Sequence, residues 1–274
     1  SGGEAKIYSF SIDDGHIYKE IDIPNVINID WEAITQDEKY IYIGDFGNNT
    51  GARTDLKIYY FNKNELHNQN KNIHVIHFAY NDQTSFTSQN QNTAYDAEAM
   101  ISIDDSLYIF TKDWINNTTT IYAWPKDTGS YSLRAKLTLP TTNKVTDATY
   151  DNQTLWLLGH DVFKYFIYKF EDFTNEPNDF ETISINVPFG QNYSPQTEGI
   201  AIYQGIVYVT SEKNILGNQW LYSYDIPTSL STPDQRNDTY PNPTENKFYF
   251  DSSNVSELII LDTSGNYIEN LEII

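Results

Sequence analysis

Internal repetition limits what this chain can fold into more than any other feature. One tetrapeptide occurs five times, as Ile7-Tyr8-Ser9-Phe10, Ile58-Tyr59-Tyr60-Phe61, Ile121-Tyr122-Ala123-Trp124, Ile167-Tyr168-Lys169-Phe170 and Leu221-Tyr222-Ser223-Tyr224, with its leading tyrosines 51, 63, 46 and 54 residues apart. Between them an acid followed by a small residue returns four times: Asp30-Trp31-Glu32-Ala33-Ile34, Asp96-Ala97-Glu98-Ala99-Met100, Thr146-Asp147-Ala148-Thr149 and Thr197-Glu198-Gly199-Ile200. An aromatic-apolar run then ends on a polar residue at Asp45, Lys112, His160 and Glu212, which lie 13, 14, 13 and 14 residues beyond Glu32, Glu98, Asp147 and Glu198. Spacing this regular marks a tandem repeat whose units bury a core only by stacking on one another.

Each unit reads as four short strands. Tyr40-Ile41-Tyr42-Ile43 and Ile206-Val207-Tyr208-Val209 are aromatic and β-branched, and Asp/Asn/Gly turns bracket them. The tetrapeptide supplies the third strand, and 73–80, 133–139 or 183–187 the fourth. Nowhere does a helical period run through a dozen residues. The expected fold is all-β: a five-bladed β-propeller whose first blade is incomplete, plus a small C-terminal β domain fragment. A β-sandwich gives no reason for one acid to return per unit. Five third-strand signatures stand against four first-strand signatures, and Ser1-Gly2-Gly3 runs straight into a third strand. Either the ring closes with a half-blade or, the favoured expectation, two strands lie upstream of Ser1.

The texture changes after the repeats. The expected organisation is a propeller over 1–227, a Ser/Thr/Pro/Asp-rich linker over 228–239 and a separate β unit over 240–274. That unit begins Tyr240-Pro241-Asn242-Pro243-Thr244 and continues through Lys247-Phe248-Tyr249-Phe250, Glu257 to Asp262 and a Ser264-Gly265-Asn266 turn. It resembles the opening half of the C-terminal sorting domain of the type IX secretion system of Bacteroidota. The resemblance implies an export address recognised by the type IX secretion machinery, with no chemistry of its own. The family continues past the equivalent of Ile274, so the chain is expected to be cut at this end too.

The motifs Asp30-Trp31-Glu32-Ala33-Ile34, Tyr42-Ile43-Gly44-Asp45-Phe46-Gly47-Asn48-Asn49, Arg53 and Asp96-Ala97-Glu98-Ala99 resemble a family of secreted bacterial propellers. The likeness covers about residues 1–226 and implies a fold rather than an activity. Related sequences carry an upstream blade ending in an Asn-Asp-Ser-Gly turn, which Ser1-Gly2 would complete.

Composition narrows the function classes. The formal net charge of −21, from 38 acidic against 17 Lys+Arg, argues against nucleic acid and anionic membranes as partners. Zero cysteine excludes disulfides, thiol nucleophiles and thiolate metal sites. No run approaches the roughly 18 apolar residues of a transmembrane segment, and no signal peptide opens the sequence, so any export signal is expected upstream of Ser1. The expected location is secreted or on the outer-membrane surface.

Antiparallel pairing places the start of one strand beside the end of the next. It therefore groups Glu32 with Asp45, Glu98 with Lys112 and Asp113, Asp147 with His160, and Glu198 with Glu212 and Lys213, all at one mouth of the propeller channel. Asp30 opens the first of these strands, while Asn48, Asn49 and Arg53 lie on a loop over the same face and Trp114 on the next. Clustered carboxylates need a counter-charge. Lys112, Arg53 and Lys213 can supply it, or Ca²⁺ can bind Glu32, Glu98, Asp147 and Glu198 through oxygen. Alternatively, the acids accept hydrogen bonds from amides of neighbouring blades and serve only the ring.

His160 and Arg53 each break the repeat and are the catalytic candidates, His160 as a general base. Asp30, Asp45, Asn48, Lys112, Asp113, Glu212 and Lys213 are the ligand-binding candidates. His16, His67, His74 and His77 fall on edges or turns, and His74 and His77 point to opposite faces of one strand. No phosphate loop, HExxH pair or Gly-x-Ser-x-Gly elbow occurs. Three readings remain open. The propeller binds an extracellular small molecule, glycan or protein at its acidic mouth; it is a calcium-assisted hydrolase of a phosphoester, lactone or glycan using His160; or it is a scaffold with contacts on its outer loops.

Overall fold

The computed structural model describes residues 3–12, 15–139, 141, 144–161, 164–171, 173, 181–186, 196–212, 220–225, 257–261 and 267–272. Among these, the helical content is one 3₁₀ turn, Lys63–Glu65, and no helix is long and apolar enough to cross a membrane. The rest is β structure. β1 (Lys6–Phe10) and β2 (Ile17–Asp22) form a two-stranded antiparallel sheet. A first large sheet contains β3 (Trp31–Gln36), β4 (Tyr40–Asp45), β5 (Lys57–Asn62) and β6 (His74–Tyr80). The second contains β7 (Ala97–Ile103), β8 (Ser106–Thr111) and β9 (Thr119–Pro125), which β10 (Gly129–Leu133) and β11 (Ala135–Leu139) follow in the chain.

The third consists of β12 (Lys144–Asp151), β13 (Thr154–His160), β14 (Lys164–Phe170) and β15 (Glu181–Asn186). The fourth holds β16 (Thr197–Tyr203), β17 (Ile206–Ser211) and β18 (Trp220–Asp225). β19 (Glu257–Leu261) and β20 (Tyr267–Glu272) pair as an antiparallel hairpin. Lys213, the expected linker and residues 240–256 lie outside the described residues.

The period-2 alternation of the second strands explains how the sheets stack. In β4, Ile41 and Ile43 face the β1–β2 sheet with Ile21 and Ile23, whereas Tyr42 joins Met100, Ile109 and Tyr122 of the second large sheet. In β8, Leu107 and Ile109 face back to the first sheet, and Tyr108 and Phe110 face forward to Leu155, Leu157 and Tyr168. In β13, Leu155 and Leu157 face back while Trp156 and Leu158 pack with Ile200, Val207 and Val209. The second strands β4, β8 and β13 are therefore buried on both faces, and each of the first three large sheets is the wall of two cores. The innermost strands follow the same order, β3 beside β7, β7 beside β12 and β12 beside β16. Sheets stacked face to face around their first strands make this a β-propeller arrangement.

Two details depart from the sequence expectation. The strand expected over 133–139 is two strands: β10 leaves its own unit and pairs in parallel with β6, while β11 stays on β9. Leu133 is consequently buried in the core between the first and second sheets, and Leu139 in the next one. Lys126 Nζ, 3.0 Å from Asp37 Oδ2, and the Tyr60–Thr128 hydroxyl contact of 2.6 Å fasten the same boundary.

The second departure concerns register. Each first strand contains one β-bulge, lying between Trp31 and Ala33, Ala97 and Ala99, Val145 and Asp147, and Thr197 and Gly199. The residues skipped are Glu32, Glu98, Thr146 and Glu198. Thus Thr146, and not Asp147, is the structural counterpart of the three glutamates. The residue before each bulge pairs with one 14 positions later in every sheet, Trp31 with Asp45, Ala97 with Thr111, Val145 with Gly159 and Thr197 with Ser211. The uneven 13/14 spacing disappears once the bulges are aligned.

Candidate functional site

A bulge leaves one residue out of the ladder and re-aims its side chain. Here the bulged glutamates of the first, second and fourth sheets come within electrostatic reach of one another and of Lys112. Glu98 is 3% exposed and Lys112 is 7% exposed, burial that lysine and glutamate tolerate only when paired. Lys112 Nζ stands 3.3 Å from Glu98 Oε1. The Lys112 amide donates to the Asp96 carbonyl at 2.7 Å, which fixes the backbone from which the side chain reaches inward.

The electrostatics follow from crowding. Burial, then the neighbouring Asp30 and Asp96 carboxylates, push the Glu32 carboxyl up to about 8, with Lys112 working the other way. Burial also drives Glu98 well above the carboxylate range, although Lys112 opposes it. For Lys112, burial disfavours the charge, yet Glu98, Glu198 and Asp96 outweigh it and hold the ammonium above its ordinary range. Glu212 is raised by burial and by Glu198. Gly47 belongs to the same wall, since a Cβ there would meet both Glu32 Oε1 and Asp30 Oδ2.

His160 ends β13 opposite Lys144. Its Nε2 is 3.5 Å from Glu198 Oε1, and Nδ1 lies 3.3 Å from the Asp161 carbonyl. Lys144 Nζ sits 4.1 Å from the Trp114 ring centroid, and Lys112 Nζ sits 5.0 Å from it. Burial, then Lys112, lower the Lys144 ammonium. Lys144 and Asp96 were not among the candidates from sequence. Aligning the units on their bulges finds them, because Asp30, Asp96, Lys144 and Gln196 all stand two residues before the skipped position.

Several candidates hold the ring together. Asp147 Oδ2 accepts from the Ile200 amide at 2.8 Å, and burial raises its carboxyl to about 8. Asp96 accepts from the Asn48 amide and, at 2.6 Å, from Trp114 Nε1. Asn48 also donates to the Tyr95 carbonyl at 3.0 Å and accepts from the Arg53 amide at 2.9 Å. Arg53 spends its guanidinium on Asp45, Asp55 and the Gly47 carbonyl. Asp45 is fully buried and also accepts from the Asp30 amide at 3.0 Å. Asp113 caps its own loop through Ile115, Asn116 and Thr118.

The structure therefore brings Glu32, Glu98, Glu198, Lys112 and His160 together and uses Asp45, Asn48, Arg53 and Asp113 as fasteners. Among the described residues, no three His, Asp or Glu side chains stand close enough to hold a metal ion. Asp147 also lines a cleft of about 540 Å³, together with Phe10, Ile12, Ile34, Ala201 and Leu221 among others.

No family model matches the chain, and no curated protein matches it in sequence. Solved structures similar to it include a chain of the nidogen/laminin complex, at 12% identity and a TM-score of 0.41, covering 82% of this chain and 73% of that one. BamB from Moraxella catarrhalis matches at 12% identity and a TM-score of 0.33 over 77% of this chain and 50% of its own. A putative 6-phosphogluconolactonase from Bacteroides uniformis matches at 8% identity and a TM-score of 0.38 over 98% of this chain and 78% of its own. Likenesses this distant bring neither a family nor an activity to this chain.

Proposed function

We propose that the protein is a secreted or cell-surface propeller that binds an extracellular small molecule, glycan or protein at the acidic channel mouth. The convergence of Glu32, Glu98 and Glu198 on Lys112 from three different sheets supports this reading. Burying such a cluster costs stability, a cost that a purely structural ring could avoid with apolar residues. Within the proposal, residues 1–227 belong to a five-bladed propeller, and 240–274 belong to a sorting domain read by the type IX secretion machinery. The test is a thermal-shift panel of small molecules and soluble oligosaccharides on the protein and on Glu198→Gln. A probe that stabilises the protein and fails to stabilise the variant supports the mouth as the site. A probe that stabilises both equally removes it.

A second reading is hydrolysis of a phosphoester, lactone or glycan with His160 as general base, favoured by the 3.5 Å approach of His160 to Glu198. Turnover lost in His160→Ala on a panel of these esters would support it, and equal turnover in both proteins would exclude it. In its calcium-assisted form, Glu32, Glu98, Asp147 and Glu198 hold the ion. That form requires Glu32, Glu98 and Glu198, on which Lys112 already acts, and Asp147, which already accepts from the Ile200 amide.

A further inference from the structure

We propose that Lys144 is an imine-forming amine: it takes up small aldehydes, the open-chain form of a reducing sugar included, with His160 as proton donor and acceptor. This goes beyond the ligand-binding reading, which needs no covalent bond and makes no use of Lys144.

The register carries the inference. Lys144 opens β12 directly across the ladder from His160, which ends β13. Cross-strand partners share one face of a sheet, so amine and imidazole project side by side. His160 Nδ1 lies 3.3 Å from the Asp161 carbonyl, and a carbonyl only accepts, so Nδ1 is the donor there. Nε2 is then the atom that takes and releases a proton. Glu198 Oε1, at 3.5 Å, positions it and balances the ring's charge when protonated. The His160 and Glu198 side chains keep 17% and 26% of their surface open, which leaves room for a small molecule to approach.

Lys144 is set up as a nucleophile. Among the described residues, no carboxylate stands within ion-pair distance of its ammonium, which lies instead 4.1 Å from the Trp114 ring centroid. Lys112 Nζ is 5.0 Å from the same centroid but is paired with Glu98 at 3.3 Å. One lysine is thus neutralised, and the other is left half-buried beside a like charge. Desolvation and a neighbouring cation are the two conditions that free an amine lone pair. Burial, then Lys112, accordingly lower the Lys144 ammonium.

The neutral Nζ attacks the carbonyl carbon, the C=O electron pair moves onto oxygen, and an Nζ proton passes to that oxygen to give a carbinolamine. His160 Nε2–H protonates the hydroxyl, which leaves as water while the nitrogen lone pair closes the C=N bond. The iminium then returns its remaining proton to Nε2. One amine and one aldehyde give one imine and one water.

Reductive trapping tests this. The protein is incubated with glycolaldehyde and cyanoborohydride at neutral pH, and the adduct on each lysine is followed by peptide mass mapping. Lys144 should be trapped faster than Lys19 and Lys39, which are exposed. In His160→Gln the rate at Lys144 should fall about 10²-fold, the low end for a positioned acid–base group, with Lys19 and Lys39 unchanged. His160→Asn serves where His160→Gln does not fold, and the comparison within the wild type decides without either. Trapping at Lys144 no faster than at Lys19 and Lys39 overturns the proposal, as does an unchanged Lys144 rate in a folded His160 variant. A thermal shift lost in Glu198→Gln concerns only the ligand reading.

Discussion

The amide of Ile200 donates a 2.8 Å hydrogen bond to Asp147 Oδ2, joining the first strand of the fourth large sheet to that of the third. Beside it, the Thr146 hydroxyl donates to the Thr197 carbonyl at 2.5 Å. The one inner strand that lacks a bulged glutamate thus has two side chains tying it to the next sheet.

Asp147→Ala leaves the Ile200 amide without its acceptor, and an unsatisfied buried donor costs about 1–3 kcal/mol. Asp147→Asn keeps an acceptor and should cost less. Urea denaturation of both variants checks the order, and equal losses would contradict the latch.

The pH dependence follows from Glu32 and Asp147, each held at about 8 chiefly by burial. Between the ordinary carboxylate range and that value, the folded state binds more protons than the unfolded one, so stability falls as pH rises. Melting temperature should therefore decline from about pH 5 to pH 8, less steeply in Glu32→Gln and Asp147→Asn. A flat wild-type profile across this window would show that burial does not hold these protons.

Arg53 and Asp45 form a buried pair at 3.0 Å, with Lys57 3.6 Å from the other carboxylate oxygen. Arg53→Ala strands much of that charge and should cost about 3 kcal/mol, the low end for breaking a buried pair, because Lys57 remains. If any turnover is found, Arg53→Ala should lower the melting temperature without changing turnover of the folded fraction. A selective loss of turnover at unchanged stability would return Arg53 to a catalytic role.

Gly47 touches the mouth through its missing side chain. In Gly47→Ala the added Cβ would come 2.5 Å from Asp30 Oδ2 and also meet Glu32. Displacing those carboxylates should destabilise by about 1–3 kcal/mol, the range for overpacking. A thermal melt equal to the wild type would mean that the wall yields freely at this point.

Local sequence alone determined the strands, their alternation and the return of an acid in each unit. A two-residue period with aromatic and β-branched residues is a property of a few neighbouring positions, as in Tyr40 to Ile43. The approach of Glu98 to Lys112 was legible for the same reason, since hairpin neighbours meet whatever surrounds them. What only the tertiary structure decided was register and facing. A bulge shifts which residue is skipped, and the skipped residue is visible only against the partner strand, so Thr146 and Asp147 exchanged places. The parallel β10–β6 pairing joins residues that no short-range pattern connects. Likewise Arg53 became a clamp and Lys112 a hub, because the charge each meets depends on how stacked sheets bring distant carboxylates together.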